Sequence, residues 1–247
     1  MNTLKSLAAL AAVGAACIGA TAQAEDAVAA ETPAITFTGT AGFTTDYRFR
    51  GVSLSDRDIA GQASITATSK IGLFASIWGS TIEPVGATAT SNGSVQEIDL
   101  TVGYSKAIGA ITPTVGVIGY VYPGGHNVAY YEPFVSLAGA VGPVTLTVGA
   151  NYAPNQKNTV EDNIYVYGLA SFGIPNTPVT IKGSVGYENG AFDYGVGSKM
   201  DYMIGADFKY KFLTLGVQYI ANNLDNSSFA LRHNRKDGFV ASITAAF

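Results

Sequence analysis

The segment ITFTGTAGFTTDYRF, Ile35–Phe49, alternates between two kinds of side chain. One parity is apolar and holds Ile35, Phe37, Ala41, Phe43, Tyr47 and Phe49. On the other parity, Asp46, Arg48 and Arg50 follow a series of threonines. Successive side chains of a β-strand point to opposite faces of a sheet, so the segment predicts a strand with rings on one face and charges on the other.

The same period of two recurs along the whole chain. Clear examples are VTLTVGANY (Val144–Tyr152), YMIGADFKYK (Tyr202–Lys211) and GFVASITAAF (Gly238–Phe247). The alternation is weakest in the segments near Leu73, Ile118 and Tyr165. We count about twelve strand-like segments by this criterion and find no convincing helical period, which predicts an all-β fold.

Composition separates this chain from soluble β proteins. Only 13% of its residues are charged, about half of the ~25% that is usual in soluble domains. Beyond the N-terminus, no stretch is apolar over the ~20 residues that a membrane helix requires. The formal net charge of −4 argues against nucleic acid as a partner, because nucleic-acid-binding domains carry a basic surface.

The N-terminus has the pattern of a secretory signal. Lys5 precedes an apolar run from Leu7 to Gly19, and Ala22-Gln23-Ala24 forms a small-x-small cleavage site. We expect residues 1–24 to be removed, residues 25–34 to be a flexible lead-in, and residues 35–247 to form one domain. The single cysteine, Cys17, lies in the signal, so the exported protein has no cysteine for a disulfide.

The links between the strand-like segments alternate in length. Short links such as KAIGAI (Lys106–Ile111) and GIPNTP (Gly173–Pro178) alternate with long ones such as NNLDNSSFALRHNRK (Asn222–Lys236). This alternation is typical of a closed antiparallel transmembrane β-barrel with short periplasmic turns and longer extracellular loops. Such a barrel faces lipid with its apolar parity and its lumen with its polar parity, and it places aromatic girdles at both interfaces. We expect the outer girdle to include Tyr47, Tyr131, Tyr152, Tyr187 and Tyr202, and the inner girdle to include Tyr104, Phe172, Phe208, Tyr210 and Phe247.

Three stretches resemble one bacterial family. They are TDYRFRGVSLSD (Thr45–Asp56), GLFASIWGSTI (Gly72–Ile82) and EIDLTVGYS (Glu97–Ser105). They are similar to the opening region of the TorF family of porin-type proteins, also catalogued as the Gcw_chp family. The resemblance implies a bacterial outer-membrane barrel and suggests a channel. It supplies no substrate and no catalytic residue.

Charged residues on the polar parity form the candidate site. Those expected to line a constriction are Asp46, Arg48, Arg50, Asp58, Glu97, Asp99, Glu132, Glu188 and Asp201, and Lys182, Asp207 and Lys209 also point inward. They form either a structural lattice of paired charges or a filter that sorts solutes by charge. Acids outnumber arginines in the outer half, so we expect modest cation preference. About twelve strands lie between the filled barrels of about eight and the open pores of 16–18, which leaves a narrow pore and a plugged barrel both open.

Other chemistry has little support in the sequence. The two histidines, His126 and His233, fall in predicted loops without a suitable serine or a metal-binding cluster. We therefore expect no enzyme activity, cofactor or metal. The expected function is passive diffusion of small hydrophilic solutes or ions across the outer membrane, with membrane lipid as the surrounding partner. The alternative is a non-conducting barrel with a structural role or with loops that bind a partner.

Overall fold

The computed structural model describes residues 33–159, 161–224 and 232–247. The elements are β1 (Ile35–Thr44), β2 (Arg48–Phe49), β3 (Val52–Ser53), β4 (Ala60–Ser69), β5 (Leu73–Val85), β6 (Ser94–Ser105), β7 (Ile111–Val121), β8 (Tyr130–Val141), β9 (Val144–Ala153), β10 (Asn163–Gly173), β11 (Val179–Gly190), β12 (Lys199–Tyr210), β13 (Leu213–Asn222), α1 (Arg232–Arg235) and β14 (Gly238–Ala246). The predicted signal peptide, residues 1–24, lies outside the described residues, as does most of the predicted lead-in.

Twelve strands form one closed antiparallel barrel, as the sequence predicts. Each strand pairs with its neighbour in the chain, except that β1 pairs with both β4 and β14 and so closes the circle. A lipid bilayer offers no hydrogen-bond partner to an unpaired strand edge, so closure is the condition for a sheet to cross it. Among the described residues, no helix is long and apolar enough to span a bilayer.

The C-terminal residue holds the seam between β1 and β14. Phe247 and Gly39 exchange two backbone hydrogen bonds, with N–O distances of 2.8 and 3.0 Å. The Phe247 ring lies directly over Gly39, where a Cβ atom would come within 2.5 Å of the ring. A glycine at this position of β1 therefore lets the terminal aromatic residue cover the seam.

The two ends of the barrel differ, which confirms the predicted alternation of links. At one end, the short-turn end, the links are 70–72, 106–110, 142–143, 174–178 and 211–212. At the other, the long-loop end, they are 45–59, 86–93, 122–129, 154–162, 191–198 and 223–237. All the long links therefore lie at the same end of the barrel.

The outer surface of the barrel is apolar. Large side chains such as Phe37 (66% exposed) and Ile204 (64%) point away from the lumen. Four of the tyrosines predicted for the long-loop girdle are exposed, namely Tyr131, Tyr152, Tyr187 and Tyr202. At the short-turn end, Tyr104, Phe208, Tyr210 and Phe247 are exposed. An apolar belt bounded by exposed aromatics is the surface of a barrel that spans a membrane.

The short-turn half of the lumen is lined by small polar side chains. The Thr40 and Ser64 hydroxyl oxygens lie 2.7 Å apart, and Thr66 donates to Ser76 at 2.9 Å. These side chains are only half-buried. Next to β1 and β4, this half of the lumen is therefore hydrophilic and retains space, whereas the side chains of Phe74, Thr114, Ser136 and Thr147, on β5 and on β7 to β9, are buried.

The segment 45–59 corrects the prediction for the opening stretch. The sequence suggests one strand through Phe49 with Tyr47 and Phe49 facing lipid, but β1 ends at Thr44 and the chain turns into the lumen as the hairpin β2–β3. Tyr47 is 1% exposed and is therefore not part of the outer girdle. The physical reason is that a hairpin has the same period of two as a wall strand, so alternation alone does not distinguish them.

Candidate functional site

The turn of the inserted hairpin places one arginine at its tip. Arg50 and Gly51 both have positive φ, +48° and +85°, as a two-residue type I′ hairpin turn requires. A Cβ atom at Gly51 would lie 2.8 Å from the Asp201 Cβ and 3.3 Å from a backbone oxygen of β13. Glycine at position 51 therefore allows both the positive φ of the turn and the close approach of the hairpin to the barrel wall.

Arg50 reaches across the lumen to the far wall. Its Nη2 donates to Glu132 of β8 at 2.6 Å, and its Nη1 donates to Glu188 of β11 at 2.5 Å. The guanidinium also lies over the rings of Tyr165, at 4.3 Å, and Phe49, at 4.6 Å. Around the barrel, β8 is five strands from β1 in one direction and β11 is four strands from it in the other. The hairpin therefore spans the lumen from one wall to the other.

Both carboxylates are fully buried and have further donors from the barrel wall. These donors are Tyr120 (3.1 Å) and Asn151 (2.9 Å) for Glu132, and Asn163 (3.1 Å) and Lys199 for Glu188. Buried charges are tolerated when they are paired and hydrogen-bonded. The wall thus holds the two carboxylates in place independently of the hairpin.

Arg48 ties the hairpin together and to the last long loop. Its Nε donates to Asp46 at 2.7 Å, and Asp46 also accepts from Ser53 at 2.6 Å. Its Nη1 donates to the backbone oxygen of Lys236 at 2.7 Å. Arg48 therefore belongs to the hairpin's own attachment, and only Arg50 reaches the carboxylates of the far wall.

Another carboxylate, Glu97 of β6, holds the base of the hairpin. Its two oxygens accept from Tyr47 at 2.6 Å and from Tyr122 at 2.9 Å. The Tyr47 ring lies 5.2 Å from the Trp78 ring. Burial, together with the negative charge of Glu97, raises the pKa of the Tyr47 phenol. Tyr47 therefore keeps its proton and remains a donor to Glu97.

An aromatic cluster fills the space beside the hairpin, which the sequence analysis did not predict. Its buried members are Phe74, Ile118, Tyr120 and Phe134, with Phe49, Tyr122 and Tyr130 packed against them. The sequence does contain a sign of this cluster, because the alternation of apolar and polar residues is weak near Leu73, Ile118 and Tyr165. It is weak there because these strands carry large apolar side chains on both faces.

The structure brings most of the predicted site residues together. We define the lumen charge cluster as the buried residues Asp46, Arg48, Arg50, Glu97, Asp99, Glu132, Glu188, Lys199 and Asp201. With every group ionised, its six carboxylates and three cations leave a net charge of −3. Lys199 was missed by the sequence analysis, although it shares the inward parity of Asp201.

Four residues that the sequence predicts to point inward lie outside the lumen charge cluster. For one of them, Asp58, the prediction is wrong. Asp58 is exposed at the end of the 45–59 segment, so it is not part of the lumen charge cluster. The strand β4 begins only at Ala60, which places Asp58 in the link before it. Lys182 and Asp207 pair at 2.8 Å below the cluster, and Lys209 is half-buried near the short turns.

Within the described residues, no group of His, Cys, Asp or Glu has the arrangement of a metal site.

Replacing Gly186 should disturb the site. A Cβ atom there would lie 2.2 Å from the Tyr165 hydroxyl and 2.5 Å from Asp201 Oδ2. We expect Gly186→Ala to lower the free energy of unfolding by about 1–3 kcal/mol, measured by urea titration in micelles. Gly168→Ala is the matched control, since a Cβ atom at Gly168 meets no atom within 4 Å. Equal stability of both variants would contradict the close packing of Tyr165 against Gly186.

Comparison with known proteins places the chain in a family. A family model described as "Bacterial protein of unknown function (Gcw_chp)" matches residues 28–247. The chain belongs to the Gcw_chp family. No curated protein sequence matches this member of the family.

Solved structures with a similar fold include two porins. The NanC porin has a TM-score of 0.57 and 13% identity, with 86% of this chain and 99% of that chain covered. The KdgM porin, solved in complex with disordered oligogalacturonate, has a TM-score of 0.53 and 12% identity, with coverage of 85% and 98%. At these identities, the likeness shows that this Gcw_chp protein has the fold of a porin barrel.

Proposed function

We propose that this Gcw_chp protein is an outer-membrane channel through which small hydrophilic solutes or ions diffuse passively, with a modest preference for cations. The observation that carries the proposal is the negative lumen charge cluster inside a closed, lipid-facing barrel. Assignment to the TorF porin group, export by a cleaved signal at residues 1–24, and the absence of enzyme activity are parts of the same proposal.

The two halves of the lumen support a channel with one narrow zone. The short-turn half is lined in part by half-buried threonines and serines, whereas the hairpin and the lumen charge cluster occupy the long-loop half. A solute therefore meets its main barrier beside Arg50, Glu132 and Glu188. Rings of carboxylates in narrow pores favour cations.

We expect a reversal potential of the cation-selective sign under a potassium chloride gradient in planar bilayers. The reason is that six carboxylates stand against three cations in the lumen charge cluster, and those three cations keep the preference modest. The oligogalacturonate of the KdgM complex is an acidic saccharide and fits this cluster poorly. An anion-selective reversal potential would show that the arginines, not the acids, set the field at the barrier.

The second candidate is a non-conducting barrel with a structural role or with loops that bind a partner. The observation in its favour is the completeness of the hairpin's attachment, with Arg50 bound to two carboxylates and Tyr47 bound to Glu97. The long loop 222–236, which lies partly outside the described residues, is the partner-binding element that the sequence suggests. Stable current steps distinguish the channel from this candidate.

The proposed orientation places the long loops outside the cell. Lys157 is exposed in the β9–β10 loop and Lys106 is exposed in the β6–β7 turn, so Lys157→Cys and Lys106→Cys form a matched pair. In intact cells, a membrane-impermeant maleimide should label Cys at position 157 and not at 106. Both should react in lysed cells. Equal labelling in intact cells, or labelling at 106 alone, would contradict the orientation.

A further inference from the structure

We propose that Glu132, Glu188 and Tyr165 form a binding site for small solutes that carry a guanidinium group, and that Arg50 occupies this site as an internal ligand. The inference rests on the proposed channel function only for the route by which such a solute arrives. Binding itself can be measured without transport.

The geometry around Arg50 is that of a recognised guanidinium. Its two terminal nitrogens donate to different carboxylates, Nη1 to Glu188 at 2.5 Å and Nη2 to Glu132 at 2.6 Å. Its Cζ atom lies over the Tyr165 ring, 4.3 Å from the ring centroid. A guanidinium suits this arrangement because it is planar, carries its donors in a fixed fork and stacks on aromatic rings. A compact ammonium or a metal ion is a point charge that lacks both the fixed fork of donors and the planar face.

The barrel wall builds this site without the hairpin. Tyr120 and Asn151 donate to Glu132, while Asn163 and Lys199 contact Glu188. All these residues lie on β7 to β12. Without Arg50 the site keeps an excess of negative charge, because Glu132 and Glu188 face one cation, Lys199, and Asp201 accepts a hydrogen bond from Tyr165. Withdrawal of the hairpin therefore leaves a preformed site.

The hairpin that carries Arg50 is small, so a bound solute can displace it from the site. The strands β2 and β3 have two residues each. Apart from the Arg50 contacts, the tip is attached through Gly51, whose oxygen accepts from Asn222 at 3.0 Å and from Arg48 at 3.2 Å, and through the Phe49 ring, 5.8 Å from the Tyr120 ring. A solute guanidinium that binds Glu132 and Glu188 competes with Arg50, so solute binding favours the state in which the hairpin is withdrawn.

The test uses Arg50→Ala, which empties the site. In micelles, millimolar methylguanidinium chloride should raise the melting temperature of this variant by several degrees. Equal concentrations of sodium chloride or tetramethylammonium chloride should not. Wild type should show a much smaller rise, because methylguanidinium must first displace Arg50 from the site. Arg57→Ala, the matched control in the same segment, should show the same small rise as wild type, since Arg57 donates to the backbone oxygens of Lys236 and Asp237.

Two further measurements distinguish the absence of the site from poor folding of the variant and from the absence of channel activity. If Arg50→Ala refolds poorly, methylguanidinium should raise its folded yield on a heat-modifiability gel, and adding Glu132→Gln should abolish that gain. The absence of a selective effect on either melting or yield overturns the site. Methylguanidinium should also block the current of Arg50→Ala in bilayers. A selective melting shift in a silent protein retains the site and overturns the channel, whereas a conducting variant without the shift overturns the site alone.

Discussion

Replacing residues 46–56 with a short glycine–serine link should increase single-channel conductance several-fold. The hairpin spans the lumen from β1 to the far wall at Glu132 and Glu188, so its removal clears the long-loop half of the barrel. Removing Asp46, Arg48 and Arg50 also leaves five carboxylates and one cation in the lumen charge cluster. The net charge then falls from −3 to −4, and the cation preference should increase together with the conductance.

The control for this variant is a similar replacement in a loop that does not enter the lumen. Residues 87–92 form the largely exposed tip of the β5–β6 loop. Exchanging them for a glycine–serine link should leave conductance within the scatter of wild type. Unchanged conductance in the variant without the hairpin would contradict the assignment of the barrier to this segment.

Reversing one charge at the hairpin tip should have the largest effect of any point substitution. Arg50→Glu removes both ion pairs and places a carboxylate against two buried carboxylates, Glu132 and Glu188. Breaking a buried pair by removing one partner costs about 3–5 kcal/mol, and we expect a loss of that order in the free energy of unfolding. The repulsion should also drive the hairpin from its site, so the conductance of the folded protein should increase.

Two comparisons make this result specific to Arg50. Arg57→Glu alters a half-exposed residue whose guanidinium donates to backbone oxygens, and it should cost much less stability. Adding Glu132→Arg to Arg50→Glu restores an opposite charge across the contact between positions 50 and 132, where the neighbouring donors Tyr120 and Asn151 are neutral, and should recover part of the loss. Equal losses for the two arginine variants, or no recovery in the double variant, would show that Arg50 is not held by the far wall.

The barrel itself could be predicted because its signals are local. The period of two in segments such as Val144–Tyr152 and the turn residues in links such as Gly173–Pro178 can be seen without knowing which strands pair. The alternation of side chains also predicts that Glu97, Glu132 and Glu188 point into the lumen, where the structure buries them. Antiparallel pairing of neighbours then follows from short links, so the strand order required no further information.

The inserted hairpin could not be predicted from the same signals. Arg48–Ser53 alternates as a wall strand does, and only the pair Arg50–Gly51 hints at a tight turn. The aromatic cluster was missed for a related reason. In a barrel, rings are expected to face lipid, but Tyr120 and Phe134 face inward and pack beside the hairpin. Both features depend on contacts between distant parts of the chain, which alternation does not encode.

The most direct test of the account is single-channel recording of the purified wild-type protein in a planar bilayer. We expect small, steady current steps, with a reversal potential of the cation-selective sign under a salt gradient. Silence in wild type, together with silence in the variant that lacks residues 46–56, would contradict the channel and favour a non-conducting barrel.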